Sequence, residues 1–188
     1  MRADAERFLR DAHILARLVE QILEEGYLRA ASGDRITFAQ LNILKHLARP
    51  GEKLVKDVAR FLRASYAAGS TAVSRLEKKK LLRRATSARD GRAEVVTVTD
   101  QGRRAIERYE RLKQGRVEAL LRGEDVESAS RGLEQAIGLL MRDRQVAGNP
   151  CLACGVYYSK NCVARLFGAS CPEDACRTPQ PSRPRRNR

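Results

Sequence analysis

Residues 65–99 read SYAAGSTAVSRLEKKKLLRRATSARDGRAEVVTVT, and the fold turns on how this stretch divides. Ser65 has the short hydroxyl that accepts an N–H of a first helical turn. Ala68, Thr71, Ala72, Val73 and Leu76 follow at helical intervals, so the spacing predicts a short helix over residues 65–80. Leu81 and Leu82 lead into a strand, Asp90-Gly91 is a strong hairpin dipeptide, and residues 93–99 are rich in β-branched side chains. The stretch therefore predicts a helix beside a projecting, basic hairpin.

Working upstream, residues 53–63 predict a helix with Leu54, Val55, Val58, Ala59 and Leu62 on its apolar side. Arg63-Ala64 turns the chain into the next helix. Two short helices joined by a tight turn form a helix-turn-helix, with the second as reader. Residues 37–48 predict another helix. Thr37 and Gln40 make a capping box, with Ile36 and Leu41 at the staple positions. This cap contributes about 1 kcal/mol. Ile43, Leu44 and Leu47 form its buried face, and Arg49-Pro50-Gly51 ends it.

Residues 4–30 predict one long helix, with Phe8, Ala12, Leu15, Leu18, Val19, Ile22 and Leu23 on one face. That face suits either a core or a dimer interface. Downstream, Thr99 or Asp100 caps a helix over 101–121, and Gly123-Glu124-Asp125 breaks it. Residues 126–146 predict a last helix carrying Ala129, Leu133, Ile137, Leu140 and Met141. The expected fold class is mainly α with a small β-hairpin wing: a winged helix-turn-helix with long dimerisation helices.

Charge locates the working surface. The chain has 188 residues and a net charge of +14, which implies a polyanionic partner. Residues 75–92 carry a net +6 and residues 147–188 a net +5, so the basicity is focused. The first two turns of the reading helix place Tyr66, Ser70, Thr71 and Ser74 outward, followed by Arg75. Small hydroxyl residues let a helix approach base edges closely. Arg89 and Arg92 sit at the hairpin tip, where an arginine suits a narrow minor groove. Lys78, Lys79 and Lys80, next to Arg83 and Arg84, are expected at phosphates. No apolar run reaches the roughly 18 residues of a membrane span, and the N-terminus lacks a signal-peptide core. A cytoplasmic protein is expected.

All five cysteines, Cys151, Cys154, Cys162, Cys171 and Cys176, fall within residues 151–176. Cys151 and Cys154 have the spacing of a zinc knuckle, with Gly155 permitting the tight turn. Cys162 and Cys171 are the preferred completing pair, with Cys176 as the alternative. Zinc is the first choice of cofactor and an iron–sulfur cluster the second. Thiol–disulfide switching without metal is the competing reading. The organisation expected is a winged-helix domain over 1–146, a cysteine-rich module over 147–176 and a disordered basic tail over 177–188. His13 and His46 have no partner ligands nearby in sequence. They are expected at the core edge or the surface, without a role.

Several segments together resemble the MarR family of winged helix-turn-helix transcriptional regulators. They are Ile36-Thr-Phe-Ala-Gln-Leu41, Leu54-Val-Lys-Asp-Val-Ala59, Val73-Ser-Arg-Leu-Glu-Lys-Lys79, the Asp90-Gly-Arg92 tip and Val96-Thr-Val-Thr-Asp-Gln-Gly-Arg103. The resemblance covers about residues 5–145. It implies a homodimer on a pseudo-palindromic double-stranded operator, with interlocking first and last helices, and a role as a regulator, expected to repress. It also implies DNA contacts from Ser65, Ser70, Thr71, Ser74 and Arg92; Tyr66, Arg75 and Arg89 are added from charge and position. The family usually has Gly where this chain has Lys80, and a left-handed backbone there costs about 1–2 kcal/mol. A winged helix can also bind protein or RNA, because fold does not fix function. No nucleophile–base pair and no Gly-rich phosphate loop is visible, so an enzyme is not expected. The sequence does not identify an effector.

Overall fold

The computed structural model describes residues 2–87, 91, 93–142 and 162–166. The chain begins with α1 (Arg2–Leu18), a π-helical segment (Val19–Gly26), α2 (Tyr27–Ser32) and a 3-10 turn (Gly33–Arg35). Then come α3 (Phe38–Leu47), α4 (Val55–Leu62) and α5 (Tyr66–Lys78). The hairpin strands β1 (Leu82–Thr86) and β2 (Glu94–Val98) lead into α6 (Asp100–Leu120), α7 (Val126–Met141) and a single turn, Val163–Leu166. This is the expected mainly helical fold with a two-stranded antiparallel wing. No described helix is long and apolar enough to cross a membrane.

The caps sit where side-chain chemistry places them. Thr37 Oγ1 accepts from Gln40 N at 3.2 Å, and Gln40 Oε1 accepts from Thr37 N at 3.3 Å. Ser65 Oγ caps α5 through Ala68 N, and Thr99 Oγ1 caps α6 through Gly102 N, each at 3.2 Å. The end of α5 shows why Lys80 departs from the usual glycine without losing the turn. Lys80 has φ +59°; Lys80 N donates to Glu77 O at 2.8 Å and Leu81 N to Leu76 O at 3.1 Å. These are the two bonds of a Schellman ending, and the buried Leu76 and Leu81 supply its apolar contact. The left-handed cost is met by satisfied carbonyls and buried leucine.

The long first helix differs from expectation in one respect. The chain is helical from Arg2 to Ser32, but its turns widen over Val19–Gly26. A Cβ on Gly26 would stand 2.9 Å from the Gln21 carbonyl oxygen, five residues back. The π spacing brings that carbonyl against residue 26, and glycine admits it. Within the segment, burial raises the pKa of Glu24, and the neighbouring carboxylates of Glu20 and Glu25 raise it further.

The core lies between α3, α4, α5, the hairpin and the first half of α6. Leu41, Leu44, Val58, Val73 and Leu76 have no exposed surface there. His46 belongs to this core and not to its edge: its ring stacks on Phe61, with centroids 4.4 Å apart and planes 10° from parallel. Aromatic contact satisfies the ring face, which helical spacing alone does not show. Lys45 and Lys113 converge on Glu110, with Lys45 Nζ 2.8 Å from Glu110 Oε1. Burial opposes ionisation of Glu110, but hydrogen bonds from Lys113 and Lys45 outweigh it and hold the pKa below the usual carboxylate value. Tyr109 Oη donates to Leu23 O at 3.1 Å, fastening α6 to the π-helical segment. By contrast, Leu9, Ile14, Leu15, Leu18 and Ile22 near the start, and Leu120, Leu133, Ile137 and Leu140 near the end, are exposed.

Candidate nucleic-acid interface

Helices α4 and α5 are joined by a turn whose geometry depends on a second left-handed residue, Arg63, at φ +50°. Arg63 N donates to Arg60 O at 3.1 Å and Ala64 N to Ala59 O at 3.0 Å. The turn brings the helices into backbone contact. A Cβ on Gly69 would meet Ala59 Cα and N at 2.9 Å, so glycine at that position lets α5 cross α4 closely. The opposite side of α5 is free of core packing. Ser65, Tyr66, Ala67, Ala68, Thr71 and Arg75 are exposed on it, and Tyr66 retains 57% of its surface. Thr71 Oγ1 donates to Ala67 O at 2.9 Å, leaving its lone pairs facing outward.

Ser70 and Ser74 are not exposed as expected; both are partly covered by Arg84 from β1. Strand register explains this. Leu82 pairs with Val98, Arg84 with Val96 and Thr86 with Glu94. Paired residues share a face, so Arg84 lies on the side that carries the buried Leu82, Val96 and Val98. Its guanidinium then meets α5. Nη2 donates to Ser70 O at 2.9 Å and to Ser74 Oγ at 2.5 Å, and Nη1 to Ser70 Oγ at 3.4 Å and to Glu94 Oε2 at 3.2 Å. Nε lies 3.2 Å from Glu77 Oε2. Arg84 is therefore committed within the protein, apart from the neighbouring lysines expected at phosphates. Its place was hidden in the sequence inside a run of bases; alternation from Leu82 was the signal that could have found it.

The remaining bases divide. Lys78, Lys80 and Arg83 are exposed beside the reading helix. Lys79 is also exposed, but its Nζ donates to Gln40 Oε1 at 2.8 Å and to Arg35 O at 2.5 Å, tying the end of α5 to the start of α3. Arg89 and Arg92 lie outside the described residues, as do Cys151, Cys154, Cys171 and Cys176. Cys162 is a half-buried free thiol. Among the described residues no three His, Cys, Asp or Glu side chains gather into a metal-binding group.

The arrangement is chemically suited to an anionic groove. One helix presents small polar groups and an aromatic ring, and exposed cations flank it. The family model of the MarR family matches residues 36–93, which run from the start of α3 into the wing. None of the curated proteins matches the sequence. Among solved structures, FabT of Streptococcus pneumoniae, in complex with DNA, is 20% identical, with a TM-score of 0.59, over 71% of this chain and 96% of that chain. RV1404 of Mycobacterium tuberculosis is 18% identical, with a TM-score of 0.59, over 72% of this chain and 92% of that one. YusO of Bacillus subtilis is 21% identical, with a TM-score of 0.53, over 76% of this chain and 99% of that one. These likenesses show the fold: a MarR-type winged helix.

Proposed function

We propose that this protein is a sequence-specific, double-stranded DNA-binding transcriptional regulator that acts as a homodimer. The carrying observation is α5 itself. It is capped by Ser65, crosses α4 in backbone contact, and exposes Tyr66, Thr71 and Arg75 on a surface with no role in the core. Helix-turn-helix readers place such a helix in the major groove. The solved complex of FabT with DNA and the family match over residues 36–93 support the same reading. Wing contact by Arg89 and Arg92 in the minor groove belongs to the proposal.

Dimerisation is proposed from the ends of the chain. Several exposed leucines and isoleucines on each of α1 and α7, with Ile22 of the π-helical segment, supply an apolar surface. A second copy covers it and sets two reading helices about one DNA turn apart. The cysteines are proposed to hold zinc or, second, an iron–sulfur cluster, on the strength of five thiols within residues 151–176. Repression is the expected sign of regulation.

Selection from randomised duplexes, followed by titration of the selected duplex and a matched RNA, tests the function. A preferred duplex, bound with a salt slope of about −0.9 per neutralised phosphate, is expected. Equal or tighter RNA binding would instead favour an RNA-binding winged helix. Light scattering should give twice the 21.0 kDa chain mass. Metal analysis and an absorption spectrum of anaerobically purified protein distinguish zinc, a cluster and free thiols.

A further inference from the structure

Helical serines and threonines ordinarily donate their hydroxyl proton to the carbonyl four residues back. Thr71 does so, to Ala67 O. For Ser74 that acceptor is Ser70 O, and Arg84 Nη2 already donates to it at 2.9 Å. The same nitrogen donates to Ser74 Oγ at 2.5 Å. A guanidinium has five N–H donors and no acceptor, so the Ser74 proton cannot point at it. Ser70 O also takes the Ser74 N–H of the α-helix, so both its lone pairs are used; with one Oγ lone pair taken as well, the Ser74 O–H is left to turn outward.

We propose that Arg84 is a positioning residue of the reading surface: it commits Ser74 to donating a hydrogen bond to DNA and locks the hairpin to α5. This inference rests on the DNA-reading proposal and deepens it. Thr71 and Ser74, one turn apart, then carry opposite polarities. Thr71 offers lone pairs and a methyl group, which suit cytosine N4–H, adenine N6–H or a thymine methyl. Ser74 offers a proton, which suits guanine O6 or N7 or adenine N7. The lock has a second consequence. Glu77, on the reading helix itself, and Glu94, on β2, have side chains 42% and 46% exposed, and Arg84 pairs with both. Without it, two carboxylates would face the DNA uncompensated. Arg84 itself, with its side chain only 17% exposed, is not available to a phosphate.

The test uses the full-length protein, its selected duplex and a scrambled duplex of equal length, at fixed ionic strength. Arg84→Met is expected to lower affinity for the selected duplex about tenfold relative to the scrambled one, the scale of one well-made base contact. The uncompensated Glu77 and Glu94 weaken both duplexes alike, so the ratio is the readout, and the salt slope on the scrambled duplex should stay near wild type because no phosphate contact is lost. Ser74→Ala should give a similar selective loss. The double variant should lose no more than the worse single one, since both remove one device. Retention of the wild-type ratio by Arg84→Met overturns the proposal. So does an equal fall on both duplexes with a shallower slope, which would make Arg84 a phosphate contact. If circular dichroism shows Arg84→Met unfolded, Arg84→Lys takes its place, and its wild-type selectivity would overturn the proposal, because an ammonium cannot span Ser70, Ser74 and both carboxylates. If that variant also fails to fold, Ser74→Ala decides, and an unchanged ratio again overturns it. A wild-type protein with no preference for any duplex would bring down the underlying DNA-reading proposal as well, and is recognised before any variant is made.

Discussion

Replacing Gly69 by alanine adds one methyl group at the point where α5 crosses α4. The new Cβ would lie 2.8 Å from Ala59 Cβ and 2.9 Å from Ala59 Cα and N. Carbon atoms rest at about 3.5–4.0 Å, so the helices must part by roughly 0.5–1 Å or α5 must rotate. Two effects oppose each other. Alanine is worth about 1 kcal/mol over glycine inside a helix. Overpacking costs about 1–3 kcal/mol, and two of the three close atoms are backbone, which cannot swing aside like a side chain. With backbone as the obstacle the overpacking cost lies at the upper end, about 2–3 kcal/mol, so it wins and leaves a net loss of about 1–2 kcal/mol. For a chain of this size each kcal/mol moves Tm by about 2–4 °C, so a fall of about 2–8 °C is expected. Because the displaced element is the reading helix, affinity for the selected duplex should fall by more than stability alone explains. Calorimetry and duplex titration below both melting temperatures separate the two effects. Adding Ala59→Gly removes only the 2.8 Å clash and should recover part of both. A Tm at or above wild type for Gly69→Ala would refute the reasoning, because it would show that α4 and α5 do not meet backbone to backbone.

Other perturbations follow from the same geometry. A Cβ on Gly102 would stand 2.2 Å from Leu81 O and 2.7 Å from Val98 Cγ1, so Gly102→Ala should lower the urea midpoint more than Gly69→Ala does. Gly115→Ala in the same helix meets nothing within 4 Å and should be neutral or stabilising by up to about 1 kcal/mol. Glu110 has a depressed pKa, so its contribution to stability is present above its ordinary value of 4.5 and is lost as the pH falls through the lower folded value. Urea melts of Glu110→Gln should therefore be less stable than wild type near neutrality, and the gap should close in acid. Glu24 is raised, so its ionised form costs stability above the folded value and the cost disappears below 4.5. Glu24→Gln should raise Tm at neutral pH, with the gain fading as the pH drops through that range.

Much of the fold was legible because its signals are local. Thr37 and Gln40 cap each other within a single turn, and Ser65 and Thr99 cap their helices in the same short-range way. The exposed part of the reading face, Tyr66, Thr71 and Arg75, was legible from helical spacing. Ser70 and Ser74 were misjudged as freely exposed, because what covers them comes from a different element. His46 was misplaced for a similar reason: its stacking partner, Phe61, lies on another helix. The π spacing at Val19–Gly26 was missed because its residues still repeat like an ordinary helix.

The sequence by itself determined a helix-turn-helix with a hairpin, and concentrated positive charge at that unit. Capping, turn residues and periodicity act over a few positions, and net charge needs no geometry. Only the tertiary structure decided which of those charges face outward. Residues 83 and 84 are both arginine, yet strand alternation sends Arg83 to solvent and Arg84 against α5. Lys79 is drawn to Gln40 and Arg35 by packing across 39 and 44 residues of chain. A one-residue step in register reverses such an assignment, and register is set by contacts between elements distant along the chain.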